Sequence, residues 1–431
     1  MCDGLSSART GRVGWASVVP ASSKDNLFRS TLPGLLSAGL LSAVLLCGGL
    51  VACRSNSFPD VPPGYREYAY ISNGGANTVT VLDLVFVRQD RTLQVGQNPT
   101  GLAVNPKRNE VYVVNTKSGS VSVIDAETNR VVATIPVRRQ PYAISVDADG
   151  RRAYVANAGS NNVSVLDLEV RRELMAAGAG EQPGLARVSP DMRSVVVTNR
   201  GSGSVSIFAA GPAEDTNASK LRLRATVGGC AGATDAVILP DSSKAFVACS
   251  AGHQVMAVNL AAAPNSWAAK QNPSLTTDHL LALLDVGPGP GHLALKPDGG
   301  EIFVSNFKGD SISEIATGTN EVGGTYTIAN RPAHAVVSDD NGTLWISNFG
   351  ADSVSLYSID DGRPVGSVQT GSSPDALAFS EDEHLLLAAD AKSGDVAVIR
   401  TQGKQGPALF TILPAGGQPN DIVVKAMTLK Q

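Results

Sequence analysis

The sequence predicts an all-β protein, an eight-bladed β-propeller with four antiparallel strands per blade, and three observations carry that prediction. Short apolar strands that close on an Asn-like residue recur along the chain, a second strand follows each within a few residues, and the closing residues keep a near-constant spacing. They are Asn73, Asn115, Asn157, Asn199, Cys249, Asn306, Asn348 and Asp390, separated by 42, 42, 42, 50, 57, 42 and 42 residues. A fixed period of this size marks units that bury their apolar faces against neighbouring copies of themselves. The repeat overrides the two or three domains that 431 residues would otherwise suggest. Glycine at 44, proline at 24 and charged residues at 17% fit a chain of short strands and many turns. A formal net charge of -4 leaves no basic footprint, so nucleic-acid binding is not expected.

Lys24 and Arg29 precede an apolar run from Leu35 to Ala52, which gives way after Cys53 to the polar Arg54-Ser55-Asn56-Ser57. A charged segment, an apolar segment and small residues before a cut describe a secretory signal, so residues 1–52 read as a leader. Leu50-Val51-Ala52-Cys53 resembles the bacterial lipobox, which implies that Cys53 becomes the first mature residue and carries lipid chains holding the protein to a membrane. With Arg54 rather than Asp after that cysteine, the resemblance implies an extracytoplasmic, lipid-anchored protein of the cell envelope, on the periplasmic or surface face of the outer membrane. Residues 53–67, with Pro59, Pro62, Pro63 and Gly64, read as the tether.

The unit from Glu110 to Arg151 shows the plan of a blade. Val111 to Asn115, Val121 to Asp125 and Val131 to Ile135 are β-branched runs separated by Gly, Asn and Thr, and a fourth short strand, Tyr142 to Val146, follows Pro141. The closing Asn is expected to fold its amide onto the nearby backbone as an Asx turn. Small residues within Val121-Ser122-Val123 and Val163-Ser164-Val165 are expected to let blades approach closely.

Blade one opens at Tyr68 on what should be its second strand. The chain ends on Pro419 to Val424, which matches the innermost strands starting at Pro99, Pro141, Pro183, near Gly232, and at Pro290, Pro332 and Pro374. The last strand should therefore complete the first blade and remove the open sheet edges. The propeller is assigned to residues 68–425 and a C-terminal tail to 426–431. Seven blades is the alternative, should one irregular unit not form. Extra residues near Ala209 to Leu221 and Ala261 to Leu280 fall between third and fourth strands, on the face of the Asp-Gly turns, where a rigid scaffold often presents partner-binding loops.

Cys230 lies in the loop entering an innermost strand and Cys249 stands in place of a closing Asn, so both reach the same face in adjacent strands; a disulfide is expected in an oxidising compartment. Aligning the innermost strands gives one equivalent residue per blade: Gly101, Ala143, Leu185, Asp235, His292, His334, Ala376 and Asp421. Asp235, His292 and His334 come from consecutive blades, and two imidazoles with one carboxylate make a candidate divalent-metal set at the channel mouth. Solvated or hydrogen-bonded histidines are the plain alternative. No Cys-x-x-Cys-His, His-Glu-x-x-His, Gly-x-Ser-x-Gly or Walker pattern occurs, and no catalytic constellation stands out.

Tyr-Val-Ala-Asn157, Tyr-Val-Val-Asn115 and Val-Val-Thr-Asn199, each followed by a Val-Ser-Val-like strand, resemble the YVTN-repeat β-propeller family over residues 68 to 425. The resemblance implies a secreted or surface propeller, with relatives that include surface-layer proteins, lactonase-like enzymes and subunits of haem or quinone enzymes. The expected function is a non-catalytic binding or scaffold module, acting as a monomer without a cofactor, for protein or cell-envelope partners. A metal-dependent lactonase-like hydrolase using Asp235, His292 and His334, or an accessory subunit of a redox enzyme, is the alternative.

Overall fold

A computed structural model describes residues 61–211, 221–403 and 406–429. The leader, Cys53 and most of the tether lie outside the described residues, as does much of the first insertion. Eight four-stranded antiparallel sheets form, each built in the order the repeat implies. Blade two, for example, runs Pro99–Val104, Glu110–Asn115, Ser120–Asp125 and Arg130–Pro136 from the inside outward.

Both faces of a blade press on a neighbour, so the middle strands are buried on both faces. Val111, Tyr112, Val113 and Val114 are all fully buried. Eight apolar clusters result, one per junction between consecutive blades. The one that closes the ring sets Leu387, Val396 and Val398 of blade eight against Ala69, Ile71 and Leu82 of blade one.

The terminal strands interlock as expected. Tyr65–Asn73 pairs with Pro419–Thr428, placing Tyr68 opposite Lys425 and Ser72 opposite Asp421. Both strands run past the assigned limits, beginning at Tyr65 and ending at Thr428, because their pairing continues to Tyr65 opposite Thr428. In every blade the register shifts once between the third and fourth strands, as at Val123/Ile124 and Val165/Leu166. Such a bulge bends and twists the outermost strand, which blunts an otherwise exposed edge. In the second insertion a short helix, Trp267–Gln271, and a 3-10 turn, Pro273–Thr276, lie between the third and fourth strands of blade five.

The closing Asn does not make the expected Asx turn. Asn115 Nδ2 donates across the sheet to Ser120 Oγ at 3.1 Å and Ser122 Oγ at 2.9 Å. Asn73, Asn199, Asn306 and Asn348 repeat this with hydroxyls five and seven residues on, and Asn157 uses Asn162 Oδ1 and Ser164 Oγ. The small residues of the next strand are thus hydrogen-bond partners of the Asn, not only packing spacers. A loop glycine covers several of these amides: a Cβ on Gly96, Gly180, Gly287 or Gly416 would stand 2.5 to 2.8 Å from the Asn side chain. That is closer than packing allows.

Candidate functional site

The channel positions align as the sequence suggested. Five of them pair with the residue that precedes a closing residue: Ala143 with Ala156, Leu185 with Thr198, His292 with Ser305, Ala376 with Ala389 and Asp421 with Ser72. All the aligned positions except Ala376 line a cavity of about 1030 Å³ at the end of the channel where the closing Asn residues sit. Its lining includes Asp235, His292, His334, Asp375, Asp421, Arg187, Arg200 and Tyr142.

The proposed metal set is brought together but is not arranged to chelate. Asp235 Oδ2 lies 3.0 Å from His292 Nδ1, while His292 Nε2 lies 3.1 Å from the carbonyl oxygen of Ala335. Both ring nitrogens face acceptors, so only the doubly protonated ring donates to both at once. Both ring nitrogens are thus already engaged within the protein. His334 stacks on the His292 ring, with ring centroids 3.7 Å apart and planes 22° from parallel. Its Nδ1 is buried without a hydrogen-bond partner, and burial, reinforced by the neighbouring His292, holds the ring well below the usual imidazole range. Among the described residues no group of three His, Cys, Asp or Glu side chains could hold a metal ion.

Asp235 and Asp421 show how one geometry yields two acidities. Asp235 Oδ1 accepts from its own following N–H, Ala236, at 2.8 Å, and Oδ2 accepts from Leu293 N–H of the next blade at 3.0 Å. Asp421 does the same with Ile422 and Leu102, each at 2.8 Å. Each carboxylate therefore clips one blade to the next. Burial works against the charge of both. At Asp235 it is outweighed by His292, by Arg187 at 3.6 Å and by the Leu293 N–H, so the carboxyl falls below its ordinary range. Asp421 has no such cation in contact, and burial lifts it to about 6.

Sequence reasoning missed the groups that remain unused. Asp375 and Tyr142 both directly follow the Pro that begins an innermost strand, one residue before the aligned set. Across all eight blades that position reads Thr100, Tyr142, Gly184, Thr234, Gly291, Ala333, Asp375 and Asn420, so a single charged residue there was a readable signal. The Asp375 carboxylate makes no hydrogen bond or ion pair with a described residue, and burial raises it above the ordinary carboxylate range despite nearby His292. Arg200, which follows Asn199, likewise has no such partner for its guanidinium. Tyr142 is 55% exposed.

The disulfide expected between Cys230 and Cys249 is present, with Cα atoms 4.8 Å apart. It lies in blade five and is not part of the cavity lining.

A family model described as "Lactonase, 7-bladed beta-propeller" matches residues 87–322 and again 315–415. This chain has eight sheets where that description counts seven. No curated protein matches the sequence. Among solved structures, dihydro-heme d1 dehydrogenase NirN in complex with DHE superposes with a TM-score of 0.67 at 14% identity, covering 85% of this chain and 76% of that one. A Bacteroides fragilis protein described provisionally as a 6-phosphogluconolactonase gives 0.55 at 14% identity, covering 85% and 100%. Hydrazine synthase of Kuenenia stuttgartiensis gives 0.52 at 21% identity, covering 77% and 92%. At these identities the likeness shows the fold alone.

Proposed function

Because the chain belongs to the family of lactonase β-propellers, we propose that the channel mouth is its working site and that the site binds a small polar ligand without hydrolysing it. One observation carries this reading: both nitrogens of His292 are committed to Asp235 and Ala335, and His334 is a weak base held neutral, so neither imidazole is free to activate water. The polar groups of the wall serve instead to hold blades together or stand open to a bound molecule. Cavities of roughly 300–1,000 Å³ suit small ligands, and this one lies at the upper end.

A second reading rests on Asp375. An unpaired carboxyl raised by burial in a cavity has the character of a general acid or base, and a lactone hydrolase would place it against the reacting ester. Gluconolactone hydrolysis by the purified chain separates the two. The binding reading expects the spontaneous rate, unchanged by Asp375→Asn or His334→Ala. A rate well above buffer that Asp375→Asn abolishes would establish the hydrolase.

The setting proposed for this activity is extracytoplasmic, with Cys53 lipidated and the propeller tethered to the envelope as a YVTN-repeat lipoprotein. The disulfide supports an oxidising compartment. Mass spectrometry of membrane-extracted protein would read the lipid on Cys53 directly.

A further inference from the structure

The cavity wall separates its charges. Blades four and eight stand half a ring apart, and each contributes one side chain with no hydrogen bond or ion pair to another described residue: the Arg200 guanidinium on blade four and the Asp375 carboxylate on blade eight. Of the other charged groups of the lining, the Glu181 carboxylate is exposed to solvent and has no described side-chain partner, while Asp235, Asp421 and Arg187 are engaged. Asp235 is held by His292, Arg187 and two backbone N–H groups, Asp421 by two backbone N–H groups, and Arg187 Nε donates to the Ala236 carbonyl at 3.1 Å. Arg200 is exposed to solvent, whereas the Asp375 carboxylate is partly withdrawn from water without a partner, which calls for an explanation. A ligand that supplies both partners provides one.

Tyr142 stands on blade three beside this axis, and its phenol lies within electrostatic reach of Asp375, Asp421 and Arg200 together. Its half-exposed ring offers a flat apolar surface at little entropic cost. Around the same mouth lie the amide side chains of Asn98, Gln140, Gln182 and Asn420, donors and acceptors that suit peptide groups.

From this arrangement we propose that the cavity binds an extended zwitterion, a short peptide with free ends, its ammonium group on Asp375, its carboxylate on Arg200 and its body against Tyr142. The inference rests on the binding reading above. A ligand of one charge leaves either the guanidinium or the carboxylate unanswered.

The test is calorimetric titration of the full chain with tri-alanine in four forms: free at both ends, N-acetylated, C-amidated and capped at both ends. The free form should bind, and each cap should weaken binding about tenfold. Asp375→Asn should erase the preference for the free over the acetylated form while keeping sensitivity to the amide, and Arg200→Gln should do the reverse. Tyr142→Ala should weaken all forms alike. Neither Asp375 nor Arg200 is tied to a described neighbour by a side-chain bond, so both variants are expected to fold, which circular dichroism checks. Equal binding of all four forms by the wild-type chain would overturn the zwitterion while leaving a ligand site in place. So would binding of none at millimolar peptide, in a chain that does not hydrolyse gluconolactone. Hydrolysis lost in Asp375→Asn would instead remove the binding reading beneath it.

Discussion

Blade five and its siblings join their strands by different chemistry at one equivalent point. In blade two, Asn115 closes a strand, donates to Ser120 and Ser122 in the next, and is covered by Gly96, three residues before Pro99. In blade five the closing residue is Cys249, the residues five and seven further on are Gln254 and Met256, and the position three residues before Ala233 is Cys230. The two cysteines therefore occupy the places of the amide and of its covering glycine, and the hydroxyls that the amide would use are gone. Four positions have changed together, so the disulfide substitutes for a hydrogen-bonded tie rather than adding to one. A buried amide needs its partners nearby, whereas a disulfide needs none.

The largest effect should follow from cutting that bond. Cys230→Ala with Cys249→Ala is expected to lower unfolding stability by about 3 kcal/mol, the magnitude for a closed loop of this order given a sequence separation of 19. Urea denaturation reads it. The comparison can be pressed further with Cys230→Gly, Cys249→Asn, Gln254→Ser and Met256→Ser combined, which writes blade two's tie into blade five. That variant should recover a measurable part of the loss; if it is no more stable than the double alanine variant, the two joints are not equivalent.

A smaller effect, about 2 kcal/mol, is expected for Asn115→Ala, which empties the space beneath Gly96 and strips two hydroxyls of their donor. Ser122→Ala should cost less, since the amide keeps Ser120. Equal urea midpoints for Asn115→Ala and wild type would mean that the recurring Asn serves something other than this tie.

Much of this was legible because a repeat fixes register without any knowledge of contacts. The period placed Asn115 and Cys249 at one position, aligned His292 with Asp421, and set the strand that begins at Pro419 beside the strand through Tyr68 by closure alone. The role of the Asn was not legible, because an Asx turn and a cross-strand donor draw on the same residue. What decides between them is that Thr78, Ser120, Ser204, Ser311 and Ser353 all stand five residues on, a regularity visible only when the two strand series are compared column by column. The cavity was harder. Asp235 and His292 met as the alignment implied, yet their use depends on the Ala335 carbonyl, which no side-chain pattern encodes. Arg200 and Asp375 are opposite only by the geometry of an eight-fold ring.

Blade eight supplies the subtlest contrast. Here the closing residue is Asp390, with Asp395 five residues on and Ala397 at seven, so one carboxyl must serve where an amide normally donates. Asp390 is fully buried, and burial, then the hydrogen bond and charge of Asp395, raise it to about 7 from an ordinary 3.8. The folded state thus holds a proton that the unfolded chain releases near pH 4. The stability this proton lends is complete below that value and is lost as the pH rises through about 7. Asp421, raised to about 6, adds a slope of the same sign. Asp390→Asn restores an amide that can donate to Asp395 at any pH. It should flatten the fall in thermal midpoint between pH 4 and 7, leaving the part due to Asp421 and the other carboxyls that burial raises, such as Glu67 and Asp147, and at pH 8 should exceed wild type by about 1 kcal/mol. Superimposable pH profiles for the two proteins would show that the Asp390 carboxyl is not held by a shared proton, and that blade eight has found a third way to close.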